Sequence, residues 1–190
     1  YNTTKKVTLN MMIEHSKSVR QGVKKSLMVV DMPYNTYNSK SEALKNAKKI
    51  IKYSKADAVK LEGGKKILSI IKHLRKNKIN VMGHLGILPQ SQIGKFRFKG
   101  KTTLERKILL NDALSLQSSG VFSIVLECIE TKLAKEITKK LKIPTIGIGS
   151  SVNCDGQVLV TDDLVGLNLT SIKFIKNFYD IRKHFELAIK

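Results

Sequence analysis

Six short apolar runs recur along a chain of 190 residues, all but the fifth followed by a stretch with helical periodicity, and this alternation constrains the fold most tightly. Strands that alternate with helices pair in parallel, because a parallel neighbour is reached only through a crossover. The expected strands are residues 26–30, 56–59 with an extension through Glu62, 79–82, 121–126, 145–149 and 157–160. A helix capped by Thr8 is expected over 8–20. Capping boxes at Ser39-Lys40-Ser41-Glu42 and Thr102-Thr103-Leu104-Glu105 open two more, the second running to about 119. Ile67, Leu68, Ile71 and Leu74 mark a further helical stripe, as do Leu133, Ala134, Ile137 and Leu141. An amphipathic helix over 171–190 ends the chain. With no repeat and no low-complexity linker, residues 1–190 read as one domain.

A doubly wound sheet would carry a glycine-rich phosphate loop after its first strand. The nearest candidate, Gly147-Ile148-Gly149, runs on into Ser150-Ser151-Val152 and does not complete that fingerprint. A TIM-type (β/α)8 barrel with two strands missing is the better α/β reading. In such barrels the functional groups sit in a ring at the C-terminal ends of the strands. Asp31, Lys60 with Glu62, His84 and Glu127 all hold that position, on four successive strands.

The segment Val59-Lys60-Leu61-Glu62-Gly63-Gly64 shows the pattern most sharply. Lys60 and Glu62 are two apart, so on a strand they share a face. A cation and an anion there are costly to desolvate unless paired or used, and the segment alone reads equally as a buried ion pair or as part of a site.

Composition narrows the function. The formal net charge of +20 raises nucleic acid or an anionic membrane as partners. The lysines, however, are scattered over helix faces, as a general Lys/Ile/Asn-rich composition would place them. Only residues 95–101 combine basic charge with interleaved Phe96 and Phe98, which suits either a grip on a nucleic-acid strand or a solvated loop. The balance is against nucleic acid. No run reaches the roughly 18 apolar residues of a membrane span, so no membrane partner is expected. Cys128 and Cys154 have neither Cys-x-x-Cys spacing nor a histidine pair nearby, which fits a reducing compartment. The cytoplasm is the expected location. The opening residues, Tyr1 to Lys6, contain no apolar core of a signal peptide and suggest a piece of a longer protein.

The ring residues suit one kind of chemistry. Asp31 and Glu62 are hard oxygen donors for a magnesium-class ion, although each alone reads as readily as a helix cap or a surface ion pair. Glu127 follows the apolar run Ile124-Val125-Leu126 and is a candidate general base. Lys60 is placed to hold a carboxylate or neutralise an enolate. His84 lies between glycines that permit close approach, or else is a satisfied core histidine. His15, His73 and His184 fall in helical stretches and read as surface residues. Together the ring groups point to metal-assisted proton abstraction beside a carbonyl.

Six motifs in register carry a family resemblance: Val30-Asp31-Met32-Pro33, the 59–64 segment, residues 82–91 (Met82-Gly83-His84-Leu85-Gly86-Ile87-Leu88-Pro89-Gln90-Ser91), Val125-Leu126-Glu127-Cys128, residues 143–149, and Asp155-Gly156-Gln157-Val158-Leu159-Val160. They resemble the ketopantoate hydroxymethyltransferase family. The resemblance implies a TIM-type barrel that transfers a hydroxymethyl group from 5,10-methylenetetrahydrofolate to 3-methyl-2-oxobutanoate through a magnesium-stabilised enolate, giving 2-dehydropantoate on the way to pantothenate. It implies Asp31 and Glu62 as metal carboxylates and Asp31, Lys60 and His84 as substrate-binding residues. It makes Glu127 the proton acceptor, and it implies a homo-oligomer, a decamer in the family.

It also implies that the first two barrel strands, with a Gly-Asp-Ser motif, should precede Tyr1. Residues 1–190 alone are then expected to bind magnesium weakly and be inactive. Gly149-Ser150-Ser151 stands where the family commonly has Gly-Ala-Gly, and the glycine pair before the basic loop is reduced to Gly94. Two other readings stay open. One is a magnesium-dependent 2-oxo acid lyase or aldolase of the phosphoenolpyruvate mutase type, whose nucleophile-loop motif these residues do not supply. The other is a basic nucleic-acid-binding protein derived from a decayed enzyme.

Overall fold

The computed structural model describes residues 4–91, 97–167 and 178–189. Six strands form one wholly parallel sheet in the order β1 (Val29–Asp31), β2 (Ala58–Glu62), β3 (Val81–Gly86), β4 (Ser123–Glu127), β5 (Thr145–Ile148), β6 (Gly156–Gln157). Spatial order equals chain order, as in a barrel wall and unlike a doubly wound sheet, where the order reverses. The described architecture is a half-barrel.

Helices link the strands: α1 (Leu9–Gly22) before β1, then α2 (Lys40–Ser54), α3 (Leu68–Lys76), α4 (Thr103–Ser118) and α5 (Thr131–Lys140) as successive crossovers. Thr8, Ser39 and Thr102 are N-caps, each accepting a bond from the backbone N–H three residues on. The two capping boxes close differently from the expected form. Glu42 accepts from the Asn38 N–H, and Glu105 from the N–H groups of Gly100 and Lys101, so each glutamate reaches past the cap residue.

One hydrophobic cluster joins the helices to one face of the sheet. Val30, Val59, Leu61, Val81, Leu85, Ile124 and Leu126 point into it from the strands, meeting Ile50, Ile71, Leu74, Leu116, Leu133 and Ile137 from the helices. The period of two then assigns the other face. Asp31, Lys60, Glu62, His84, Val125, Glu127 and Ile148 alternate with those core residues and lie on the inner side.

Every strand differs from expectation at one end or both, and three differences matter most. β1 begins at Val29, because Leu27 is exposed and only Val29 onward finds partners on β2. β3 runs through Gly83 to Gly86, so His84 lies within the strand; Gly83 is there because Leu116 of α4 packs against it, not because the chain turns. β6 is two residues long, and Val158 and Val160 leave the ladder half-exposed.

Two further elements follow: a short helix, α6 (Thr161–Leu164), and α7 (Ile181–Ile189), which buries no residue. The first part of the helix expected over 171–190 lies outside the described residues, as do Gly94, Lys95 and Phe96 of the basic loop. The described remainder of that loop docks onto the protein. Lys99 exchanges backbone hydrogen bonds with Cys128 and Glu130, and Arg97 pairs with Glu105.

Candidate active site

Strand register brings together residues far apart in the chain. Asp31 is paired with Lys60 across β1 and β2, and Glu62 with His84 across β2 and β3. Glu127 is aligned with Gly86, two residues beyond His84 and on the same face. The side chains follow: Lys60 Nζ lies 3.3 Å from Asp31 Oδ2, and His84 Nε2 lies 3.1 Å from Glu127 Oε2. On its other side, His84 Nδ1 is 3.9 Å from Glu62 Oε1. Asp31, Lys60, Glu62, His84 and Glu127 all border one cavity of about 440 Å³.

Burial is uneven. The His84 side chain is 2% exposed and that of Glu62 is 7%, whereas that of Asp31 is 44%. His84 therefore sits between two carboxylates with both ring nitrogens buried and neither aligned for a hydrogen bond. Unsatisfied buried polar atoms are costly and mark places where a ligand completes the site. Burial pushes the Glu62 carboxyl up to about 7, opposed by the Gln90 N–H and by Lys60.

Apolar Val7, Met12, Val125, Ile148, Val158 and Leu159 also line the cavity. Its lining thus offers both charges and a surface suited to a short branched hydrocarbon.

The backbone holds Glu127 from both sides. The Ile87 N–H donates to its carbonyl, and Cys128, with a left-handed φ of 49°, turns the chain away and donates to Ile148. Cys128 is buried among these atoms, which pushes its thiol up to about 11, with Glu127 adding to the effect. Cys154 is in a loop but also buried, against Gly147. Ser150 stitches the rim: its hydroxyl donates to the Leu126 carbonyl at 2.7 Å and accepts from the Ile129 N–H at 3.0 Å. His15 and His184 are exposed and His73 is half-buried.

A magnesium-class ion takes one or two carboxylates and completes its shell with water and substrate oxygens. Asp31 and Glu62 border the same cavity, and the Asp31 charge adds to the cost of ionising Glu62. Among the described residues no hydrogen bond to Glu62 Oε1 is made, so a hard-oxygen donor is available. Among the described residues no group of three His, Cys, Asp or Glu side chains converges as a closed metal site. The donor set thus fits an ion that keeps most of its own waters, not a fully protein-ligated one.

Sequence reasoning assigned nothing to Gln90 or Tyr37. Gln90 donates its N–H to Glu62, and Tyr37 donates its hydroxyl to Gln90. Gln90 falls inside the 82–91 motif, which was the one available signal; Tyr37 had none.

A family model described as ketopantoate hydroxymethyltransferase matches residues 1–190. The curated 3-methyl-2-oxobutanoate hydroxymethyltransferase of Pelagibacter ubique (strain HTCC1062) is 68% identical over 188 residues, covering 99% of this chain and 73% of the relative. Its counterpart from Anaplasma marginale (strain St. Maries) is 44% identical over 189 residues, covering 98% and 68%. Two solved structures show a similar fold. A candidate phosphonomutase from Burkholderia cenocepacia J2315 matches with a TM-score of 0.56 at 10% identity, over 76% of this chain and 62% of that one. Oxaloacetate acetylhydrolase in complex with 3,3-difluorooxalacetate matches with a TM-score of 0.57 at 11% identity, over 83% and 57%. At such identities the likeness concerns the fold alone. Neither the lyase nor the nucleic-acid reading is favoured by these matches.

Proposed function

The chain belongs to the ketopantoate hydroxymethyltransferase family, and from that membership we propose how its residues carry the reaction. It is a hydroxymethyltransferase of pantothenate biosynthesis, with 3-methyl-2-oxobutanoate as the acceptor and a one-carbon folate as the donor. We assign the donor as 5,10-methylenetetrahydrofolate.

The observation that carries the assignment of roles is the inner-face row of Asp31, Lys60, Glu62, His84 and Glu127 around one cavity lined by both charged and apolar groups. The branched end of the 2-oxo acid suits the apolar lining near Val125 and Ile148. Its carboxylate and keto oxygens then face Lys60, Asp31 and Glu62. Asp31 and Glu62 would hold a magnesium ion there, and its chemistry when bound is to polarise the keto group and make the neighbouring C–H more acidic. Glu127 takes the proton from C3, and the electron pair left at that carbon forms the new bond to the donor's one-carbon unit. The two carbon–nitrogen bonds that held this unit break, and water supplies the hydroxyl. The proton from C3 and one from water end on the folate nitrogens, releasing tetrahydrofolate. His84, 3.1 Å from Glu127 on the same inner face, contacts the substrate.

The six strands are read as one domain and as a sector of a (β/α)8 barrel, with the other two strands outside this chain. The intact protein is proposed to be a cytoplasmic homo-oligomer, a decamer by family resemblance. Among the described residues no helix is long and apolar enough to cross a membrane.

The test is proton exchange without the donor. In D2O the intact enzyme should exchange the C3 hydrogen of 3-methyl-2-oxobutanoate, followed by NMR, and Glu127→Gln should slow that exchange by at least a hundredfold. Unchanged exchange in the variant would refute Glu127 as the base.

A further inference from the structure

The segment after β3 folds back over the strand ends, and Gln90 ties it down. Gln90 is 7% exposed, and its backbone N–H and both side-chain polar atoms are paired. Its backbone N–H donates to Glu62 Oε2 at 3.0 Å. Its side-chain Nε2 donates to the Met32 carbonyl at 2.9 Å, and its Oε1 accepts from the Tyr37 hydroxyl at 3.0 Å. Reversing the amide would set its oxygen against the Met32 carbonyl, so the network fixes its orientation. The anchors come from different strand ends: Met32 and Tyr37 follow β1, Glu62 closes β2, and Gln90 follows β3.

A buried amide at this place needs a reason, since leucine would fill the same volume without two side-chain polar atoms to satisfy. The reason lies in Glu62. Its carboxylate borders the 440 Å³ cavity and also a second one of about 1080 Å³, lined by Tyr34, Tyr37 and Asp112 among others. Without the Gln90 N–H, the Glu62 carboxylate has a second direction in which to turn. With it, Oε2 is held, and among the described residues Oε1 is the oxygen left without a hydrogen bond.

We propose that Gln90 is a positioning residue whose side chain, clamped between Met32 and Tyr37, aims its own N–H at Glu62 and so presents Glu62 Oε1 to the metal. This rests on the reading of Glu62 as a metal carboxylate. Tyr37 is the outer end of the same clamp. Both are assigned to act through Glu62; Gln90 also borders the 440 Å³ cavity, whereas Tyr37 borders the larger one. Residues that orient metal ligands from behind typically change affinity or activity by about 10–100-fold when lost.

The experiment measures Mn²⁺ binding to the intact enzyme without substrate, by calorimetry or EPR titration, for wild type, Gln90→Leu, Tyr37→Phe and Glu62→Gln. Gln90→Leu should weaken Mn²⁺ binding by about tenfold or more and Tyr37→Phe by a few-fold, because the latter removes one bond of the clamp. In turnover, Gln90→Leu should lose kcat and require more metal for saturation. A merely structural role would lower the melting temperature and leave the affinity of the folded protein unchanged. Should Gln90→Leu fail to fold, Tyr37→Phe, which removes a single hydroxyl, decides the matter. If Glu62→Gln abolishes Mn²⁺ binding while Gln90→Leu and Tyr37→Phe bind as wild type, the positioning role is overturned and the metal reading stands. If Glu62→Gln itself binds Mn²⁺ normally, the metal reading fails and takes this proposal with it.

Discussion

Gly86 shows how closely the backbone of this site is drawn. Its φ is +102°, and a Cβ there would run into the carbonyl oxygen of Glu127 and the side chain of Ile129. A side chain is thus excluded twice, by conformation and by space. Gly86→Ala should cost roughly 2–4 kcal/mol in urea denaturation and displace Glu127, lowering kcat as well. A loss below about 0.5 kcal/mol would show that the strand end adjusts freely. The same tightness explains what could be read at this scale and what could not. Glycine at 83 and 86 was visible in the sequence, but one glycine makes room for a helix and the other for a neighbouring strand end. The letter alone does not distinguish the two, because both are demands made by partners distant in the chain. His84 was misplaced for the same reason: the glycines around it read as a strand end, and the strand runs on through them.

Helix starts concentrate the acidic groups that stabilise this fold. Arg97 beside Glu105 holds that carboxyl below its usual range, helped by the N–H groups of Lys101 and Gly100. The N–H of Lys132, with that of Leu133 and the Arg106 side chain, does the same for Glu130 at the start of α5. Asp57 is lowered by the Met28 N–H and by Arg20. A carboxyl whose folded pKa is depressed stabilises the fold above its unfolded pKa and loses that contribution as pH falls through the folded value. Here the unfolded range is 3.8–4.5. The melting temperature should therefore fall as pH drops from 5 to 3. The double variant Glu105→Gln, Glu130→Gln should melt lower at pH 7 and lose less on acidification. An unchanged slope in thermal melts would mean that these caps do not report on folding. The elements themselves were legible because their signals are local: Ser39 and Thr102 cap within three residues, and period-three-to-four stripes mark α2 and α5. The short strands β1 and β6 were overestimated, since where a strand ends depends on which neighbour is there to pair with.

At the scale of the molecule, a consecutive parallel sheet has a protected middle and weaker margins. β3 and β4 have a strand on each side and helices over one face, whereas β6 is two residues long and α7 buries nothing. In hydrogen exchange the amides of β3 and β4 should be the slowest, and those of β6 and α7 should exchange early. Equal protection of β6 would argue that another element covers it in solution. The chain's own sequence determined the alternation of strands and helices, the family, and the set of ionisable residues at strand ends, because period, caps and motifs are written in neighbouring residues. Only the tertiary structure decided which of those residues meet. Asp31 faces Lys60 and Glu62 faces His84 because of strand register, and Gln90 reaches Met32 across 58 positions of chain. Such contacts depend on how separate strands align and on how far water is excluded between them, and neither quantity is set by any one stretch of sequence.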